Sequence, residues 1–320
     1  MSHCLVTGGA GFIGSNIVDE LIRRKHKVSI LDNLETGFLE NIKPHGSRAE
    51  FFKGDICSLK DCRKAVKGID YIFHVAANRA VSRSVDDPGK TNEVNVTGTL
   101  NILIAARDAK IKRVIYSASS SAYGENNRPV FRENDLPRPE SPYAAQKLMG
   151  EQYCRIFYRL YGLETISLRY FNVFGPRQNP ESKYSAVIPI FIEQLLKSKS
   201  PEIHWDGRQS RDFSYVDNVV HGNLCAMTAK NKNGKVLGEV FNIACHEEFS
   251  VLDIFNELRK ILNKKHIRPI FRSKRAGDVR RTFADISKAK KYLNFKVQTR
   301  FKPGLRKTVD WFLKSKALER

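Results

Sequence analysis

The chain has 320 residues, 41% apolar and 28% charged, which can build a real core and excludes a disordered chain, a fibre or a small disulfide scaffold. No window approaches the roughly 18 uninterrupted apolar residues that span a bilayer, and six scattered cysteines with no CxxC or metal-ligand spacing read as reduced thiols of a cytoplasmic protein. The net charge is +21, and residues 256–320 hold 21 Lys/Arg against 5 Asp/Glu, a local excess of +16. Solvated helix faces are the plain reading of that excess, and a pocket for an anionic small molecule is the functional one; sparse stacking aromatics argue against nucleic acid.

No charged leader precedes an apolar run, so the fold is expected to begin at "CLVTGGAGFIG". "CLVT" predicts a strand, residues 11–24 a helix, "KVSILD" and "EFFKGD" strands, "SLKDCRKAV" a helix and "DYIFHVAA" a buried strand. A long helix is expected over residues 87–109, then strand "RVIYSAS", a helix over 143–161 and strand "TISLRY". Strands alternating with helices predict parallel crossovers and an α/β, doubly wound parallel sheet of Rossmann type. Past Asn172 the pattern weakens into a Pro/Asn-rich loop, the helix "AVIPIFIEQLLK", short strands near Trp205, Phe213 and Phe241, and helices near Val251 and Phe301. The division expected is a dinucleotide-binding domain over 1–172 and a smaller C-terminal α/β substrate lobe over 173–320, interleaved with the first.

"TGGAGFIG" follows the first strand and opens the first helix. Gly8, Gly11 and Gly14 fit GxxGxxG, and Gly9, Gly11 and Gly14 equally fit GxGxxG; either spacing permits a tight turn that leaves helix N–H groups free for a pyrophosphate. Asp32 ends the second strand 18 residues past Gly14. A carboxylate there accepts from ribose hydroxyls and repels a 2′-phosphate, and Asn33, not a basic residue, comes next, so NAD is favoured over NADP. Asp55, after "FFKG", is placed to meet the adenine amino group, with a helix cap as the competing reading.

Tyr143 and Lys147 are four apart on a predicted helix and share one face. A free tyrosine titrates near pH ~10; a neighbouring ammonium and a positive nicotinamide ring favour the phenolate and make Tyr143 a base near neutrality. "SASSSAYG" ends the preceding strand, where ligands sit in doubly wound sheets, and offers hydroxyls to share the moving proton.

With these blocks the sequence resembles the extended short-chain dehydrogenase/reductases, in particular the nucleotide-sugar epimerases. The resemblance runs to about residue 295 through "TGGAGFIG", "LDNLETG", "GDI", "HVAA", "NVTGT", "SASSSAYG", "SPYAAQK", "LRYFNVFGPRQ", "SRDFSYVDN" and "RAGDVRRTFADISKA". Within the family it most resembles the UDP-N-acetylglucosamine 4-epimerases. The resemblance implies catalytic Ser119, Tyr143 and Lys147, and a cofactor site of Gly8, Gly11, Phe12, Ile13, Gly14, Asp32, Asn33, Asp55, Ile56, Ala76, Ala77, Asn95, Ser117, Tyr143, Lys147 and Tyr170. It implies UDP-sugar contacts from Ser119, Ser121, Tyr143, Asn172, Val187, Arg211, Arg275, Asp278 and Thr282, with the two arginines on the diphosphate. No metal is implied. A homodimer joined through the two long helices is implied, as is NAD retained between turnovers. One departure is Gln146, where the family has a small residue, on a face where no chemistry is expected.

The implied reaction is 4-epimerisation: Tyr143 takes the O4′ proton, NAD+ accepts the C4′ hydride, and the tethered 4-keto sugar turns over before the hydride returns. Related dehydratases carry an Asp-Glu pair just after the catalytic Ser/Thr; here Ser120 and Ser121 stand there, so elimination lacks its acid. Thr282 stands where glucose/galactose-restricted relatives resemble each other in having a tyrosine. A small side chain leaves volume for an N-acetyl group at C2′, so UDP-GlcNAc/UDP-GalNAc is expected, with UDP-Glc/UDP-Gal as further substrates; simple packing is the competing reading of Thr282. A UDP-glucose or UDP-glucuronate 4-epimerase is the alternative, and a non-catalytic NAD- or polyanion-binding protein the reading from another class.

Overall fold

A computed structural model of the chain describes every residue except 80, 126, 127, 129, 180–185, 275–279, 319 and 320. The first half builds β1 (His3–Thr7), α1 (Phe12–Arg23), β2 (Lys27–Asp32), β3 (Ala49–Lys53), α2 (Leu59–Ala65), β4 (Tyr71–His74), α3 (Val81–Asp86), α4 (Pro88–Asn92), α5 (Gly98–Asp108), β5 (Arg113–Ser119), α6 (Pro142–Tyr161) and β6 (Glu164–Tyr170). The second half adds β7 (Val173–Phe174), α7 (Val187–Leu196), β8 (Glu202–His204), β9 (Ser210–Asp212), β10 (Ser214–Tyr215), α8 (Val216–Thr228), β11 (Glu239–Ile243), β12 (Glu248–Ser250), α9 (Val251–Ile261), β13 (Ile270–Arg272), β14 (Arg281–Thr282), α10 (Ser287–Leu293) and α11 (Phe301–Leu318).

Seven parallel strands form the main sheet in the order β11-β6-β5-β4-β1-β2-β3. Its strands are buried apolar runs because helices cover both faces, as a parallel sheet requires. The order reverses between β1 and β4, and the crevice outside the strands' C-terminal ends at that point is the ligand position of such sheets. α6 begins at a Ser141 cap that accepts from the Ala144 N–H, takes Pro142 in its first turn, and stops at Gly162 in left-handed conformation (φ 72°). It is locked onto β6 by a buried bidentate pair, Arg169 Nε to Glu151 Oε1 at 2.8 Å and Nη2 to Oε2 at 2.7 Å.

Among the departures from the expected elements, three bear on the site. The helix over 87–109 is one helical run broken by a π-turn at Glu93–Thr97, which turns Asn95 into the interior. The strand near Phe241 belongs to the main sheet, not the lobe: β11 pairs in parallel with β6, so a cut at residue 172 divides the chain but not the fold. Helix α8 was not expected, because inward-facing Asn218 and Asn223 disguise its apolar face. The structure satisfies both: Asn218 accepts from the Gln298 and Thr299 N–H groups, and Asn223 donates to the Tyr170 hydroxyl at 2.8 Å.

The lobe is built from small sheets, β12-β9-β14, β13-β8 and β10-β7, over α7, α9 and α11. Part of the C-terminal positive charge meets acids here: Arg272 with Glu202, Arg280 with Asp206, Arg281 with Glu248, Lys288 with Glu239 and Arg300 with Glu247. These are exposed pairs of small energetic weight, and they support the reading of that charge as surface. All six cysteines are free thiols, and among the described residues no helix is long and apolar enough to cross a membrane.

His74, at the end of β4, is buried between the Thr7 hydroxyl (2.7 Å) and the Thr99 hydroxyl (3.0 Å). Burial, helped by the Lys147 charge, pulls its pKa from 6.5 to about 3. The native state therefore keeps this ring neutral while the unfolded chain binds a proton there, and stability is lost as pH falls from 6.5 towards 3. Denaturant titrations of wild type and His74→Gln across that range should show a shallower acid loss in the variant.

Candidate active site

The first cleft lies over the C-terminal ends of the main-sheet strands. Gly8 takes a left-handed conformation (φ 68°), and a Cβ there would stand 2.8 Å from the Ala76 backbone; a Cβ on Gly14 would run into the Gly8 carbonyl oxygen. Only bare backbone fits this turn, and α1 leaves it from Gly11 with no side-chain cap. That combination suits a phosphate pair at the helix N-terminus. Asp32 closes the turn: its carboxylate accepts the Ala10 N–H at 2.9 Å and the Leu34 N–H at 2.8 Å, while burial raises its pKa against those bonds. Asp55 accepts the Cys57 N–H at 2.8 Å and the Asn33 amide at 3.0 Å, which outweigh burial and hold its carboxyl below the usual range.

Gly8, Gly11, Phe12, Ile13, Gly14, Asp32, Asn33, Asp55, Ile56, Ala76, Ala77, Ser117, Tyr143, Lys147 and Tyr170 all line this one cleft. Asn95 does not. It lies behind the wall, donating to the Asn78 carbonyl at 3.0 Å and accepting the Asn78 N–H at 2.8 Å. The cleft also takes in Phe38, Asn78, Arg79 and Arg177, which the sequence motifs did not single out.

At the reactive end, Lys147 is buried and donates from Nζ to the Ser117 carbonyl at 2.8 Å, with the Tyr116 ring 4.9 Å from the ammonium. Burial pulls its pKa down to about 8. The Tyr143 phenol is pushed above its ordinary value of 10 by burial, opposed by a hydrogen bond with Ser119 and by the Arg79 guanidinium. The Arg79 guanidinium thus adds a cation at the phenol that the spacing of Tyr143 and Lys147 did not indicate. Ser119 in turn accepts from the Ser121 hydroxyl at 2.8 Å and the Ser121 N–H at 3.2 Å, so the phenol ends a short hydroxyl chain. Tyr170 meets the Ser117 hydroxyl at 3.0 Å.

Gln146 lines neither cleft among the described residues. It is buried, accepts from Asn95 at 2.9 Å, and donates to the Thr91 hydroxyl at 3.1 Å. The polar side chain in place of a small residue joins the catalytic helix to the π-turn and, through Asn95, to the 75–79 segment.

The second cleft is lined by Asn172, Val187 and Arg211 together with Phe174, His204 and Phe213. Asn172 sits at φ 30°, in the left-handed region, and its amide reaches the Asp212 carbonyl and the Thr282 hydroxyl, both at 3.3 Å. β14 sets Thr282 beside Arg211 in parallel register. Beneath them buried Asp212 accepts the Cys245 and His246 N–H groups at 3.0 and 3.1 Å, and burial raises its carboxyl to about 7. Arg275 and Asp278 lie outside the described residues. Among the described residues no group of His, Cys, Asp or Glu is arranged to hold a metal.

Residues 4–244 match the NAD dependent epimerase/dehydratase family, and the chain belongs to it. It is 41% identical to a putative UDP-glucose 4-epimerase of Methanocaldococcus jannaschii, over 96% of this chain and 97% of that one. Among solved structures it is similar to a UDP-N-acetylglucosamine 4-epimerase from Methanobrevibacter ruminantium in complex with UDP-N-acetylmuramic acid (40% identity, TM-score 0.92, 98% and 99% coverage). It is also similar to a UDP-glucuronic acid 4-epimerase from Bacillus cereus in complex with UDP-glucuronic acid and NAD (33% identity, TM-score 0.90, 98% and 99% coverage). The protein is an enzyme, its cofactor is NAD, and the glycine turn and Asp32 fit that cofactor.

Gln146→Leu leaves the buried Asn95 amide short of a partner, a change that costs about 1–3 kcal/mol. Calorimetric melts should show that loss, and protein purified without added cofactor should carry less NAD than wild type.

Proposed function

We propose that the enzyme interconverts UDP-GlcNAc and UDP-GalNAc, with UDP-Glc and UDP-Gal as further substrates. Several of its relatives are named UDP-sugar 4-epimerases, which supports NAD-dependent 4-epimerisation of a UDP-sugar as the activity of this chain. The observation that carries the finer reading is Thr282. It is a small side chain held by Asn172 at 3.3 Å and set in register with Arg211, in the midst of the residues assigned to the substrate. A phenol there would fill the space an acetamido group needs, with overpacking of roughly 1–3 kcal/mol. Ser120 and Ser121 after Ser119 provide no carboxyl for elimination, which supports epimerisation over dehydration.

In this reading Arg211 and Arg275 hold the diphosphate, Asp278 a ribose hydroxyl, Val187 the nucleotide through its main chain, and Asn172 the sugar-diphosphate junction. Asp32 holds the adenosine ribose, and Asp55 stands at the adenine. Bound NAD supplies a hydride acceptor for C4 and, once reduced, the donor that restores it. Tyr143 takes the O4 proton, with Ser119 and Ser121 sharing it along the hydroxyl chain. Lys147, fixed on the Ser117 carbonyl, orients the cofactor ribose and keeps positive charge near the phenol. Residues 1–172 serve chiefly the cofactor and 173–320 the UDP-sugar.

A homodimer through α6 and the α4–α5 run completes the proposal. Its support is the apolar surface on α6, where Met149, Ile156, Leu160 and Tyr161 are exposed. Free cysteines fit a reducing cytoplasm.

NMR of purified protein with UDP-GlcNAc, and with UDP-Glc in parallel, should show epimerisation without added cofactor; net reduction that demands NADPH would defeat the proposal. Tyr143→Phe should lower turnover about 10²–10⁴-fold. Thr282→Tyr should lose the N-acetyl sugars first, and equal loss on both classes would count against the pocket argument. In sedimentation velocity the wild type should run as a dimer, and Ile156→Glu with Leu160→Glu as a monomer.

A further inference from the structure

The second cleft holds two polar groups that have no role in the scheme above. Helix α7 gives it Val187, Ile190, Phe191 and Gln194, residues at i, i+3, i+4 and i+7 that share one face. Three are apolar and the fourth is not. The Gln194 Oε1 is buried with no hydrogen-bond partner among the described residues. The other polar residue of the helix, Glu193, is paired with Lys197. Gln209 repeats the pattern in the same cleft. It is 5% exposed, its Nε2 donates to the His204 carbonyl at 2.8 Å, and its Oε1 also lacks a partner among the described residues.

A buried acceptor without a donor is costly to a folded chain, because it has given up water and gained no bond in exchange. Two in one cleft point to donors that arrive with a ligand. The nucleotide of a UDP-sugar carries such donors: the imino N3–H of its base and the two ribose hydroxyls. Placement sorts them. Gln209 is two residues from Arg211, assigned above to the diphosphate, and ribose is the part of the nucleotide next to the diphosphate. Gln194 lies two helical turns past Val187, assigned above to the nucleotide, about 10 Å along the axis. Ile190, Phe191 and the His204 ring line the same cleft, surfaces that suit a flat heterocycle. A primary amide also matches the uracil edge atom for atom: its oxygen accepts N3–H, and its N–H donates to the adjoining ring carbonyl.

We propose that Gln194 is a specificity-determining residue that reads the uracil edge through its N3–H, with Gln209 accepting a ribose hydroxyl. The inference rests on the UDP-sugar reading of this cleft. Titration calorimetry on the protein as purified would compare UDP with N3-methyl-UDP, which lacks the imino hydrogen. The two proteins compared are wild type and Gln194→Met, which keeps the length of the side chain and removes the amide. Wild type should bind N3-methyl-UDP about ten-fold or more weakly than UDP. Gln194→Met should bind UDP about ten-fold more weakly than wild type does, and should bind the two nucleotides with nearly equal affinity. Without nucleotide it should melt at or above the wild-type temperature, because an unpaired buried acceptor is gone. Unchanged UDP affinity in Gln194→Met overturns the inference and leaves the UDP-sugar reading standing, and so does a wild type that binds both nucleotides alike. A variant that melts below wild type and keeps its preference for UDP over N3-methyl-UDP shows a packing role and overturns the inference too. A wild type that binds neither nucleotide defeats the UDP-sugar reading as well.

Discussion

A chain of buried hydrogen bonds holds the reactive centre together. It starts at the Thr7 hydroxyl on β1, passes through the His74 ring to Thr99, whose hydroxyl donates to the Asn95 carbonyl, and runs from the Asn95 amide to Gln146 on α6. Thr7 also accepts the Ala76 N–H, and Asn95 holds both polar groups of the Asn78 backbone. β1, the 75–79 segment and α6 are thereby joined in one polar unit within an apolar interior. Such a network is worth keeping only when every member is satisfied, and the π-turn is what brings Asn95 into position to complete it.

The electrostatics follow from this rigid, dry setting. Burial moves the two key groups in opposite directions, the Tyr143 phenol up and the Lys147 ammonium down to about 8, since each environment disfavours its charged form. Two neutralised groups would be inert. The site offsets burial with a hydroxyl chain through Ser119 and with the Arg79 guanidinium on the phenol. A positively charged nicotinamide ring adds to the same side of the balance. The state of the phenol is therefore set by burial, Ser119 and Arg79 together rather than by its spacing from Lys147 alone.

The lobe carries the second cleft, lined by Asn172, Val187 and Arg211 among others. Part of its basic surface meets acids from earlier in the chain in short surface pairs. Strand register makes Arg211 and Thr282 neighbours across β9 and β14. Asn172 bridges to them from the end of the main sheet, in a left-handed conformation that an asparagine tolerates better than most residues.

Sequence by itself determined the parts that depend on local geometry. The glycine turn, Asp32 at the end of β2, the Tyr143/Lys147 helix face and the alternation of strands with helices are readable because periodicity and turn chemistry act over a few residues. Tertiary structure alone decided the rest. The return of β11 to the main sheet, the polar-cored α8, the inward turn of Asn95, the burial of Gln146 and the meeting of Arg79 with Tyr143 all join residues far apart in the chain. Their common cause is desolvation: a buried amide or charge must find a partner wherever the fold provides one, and no local pattern records where that partner stands.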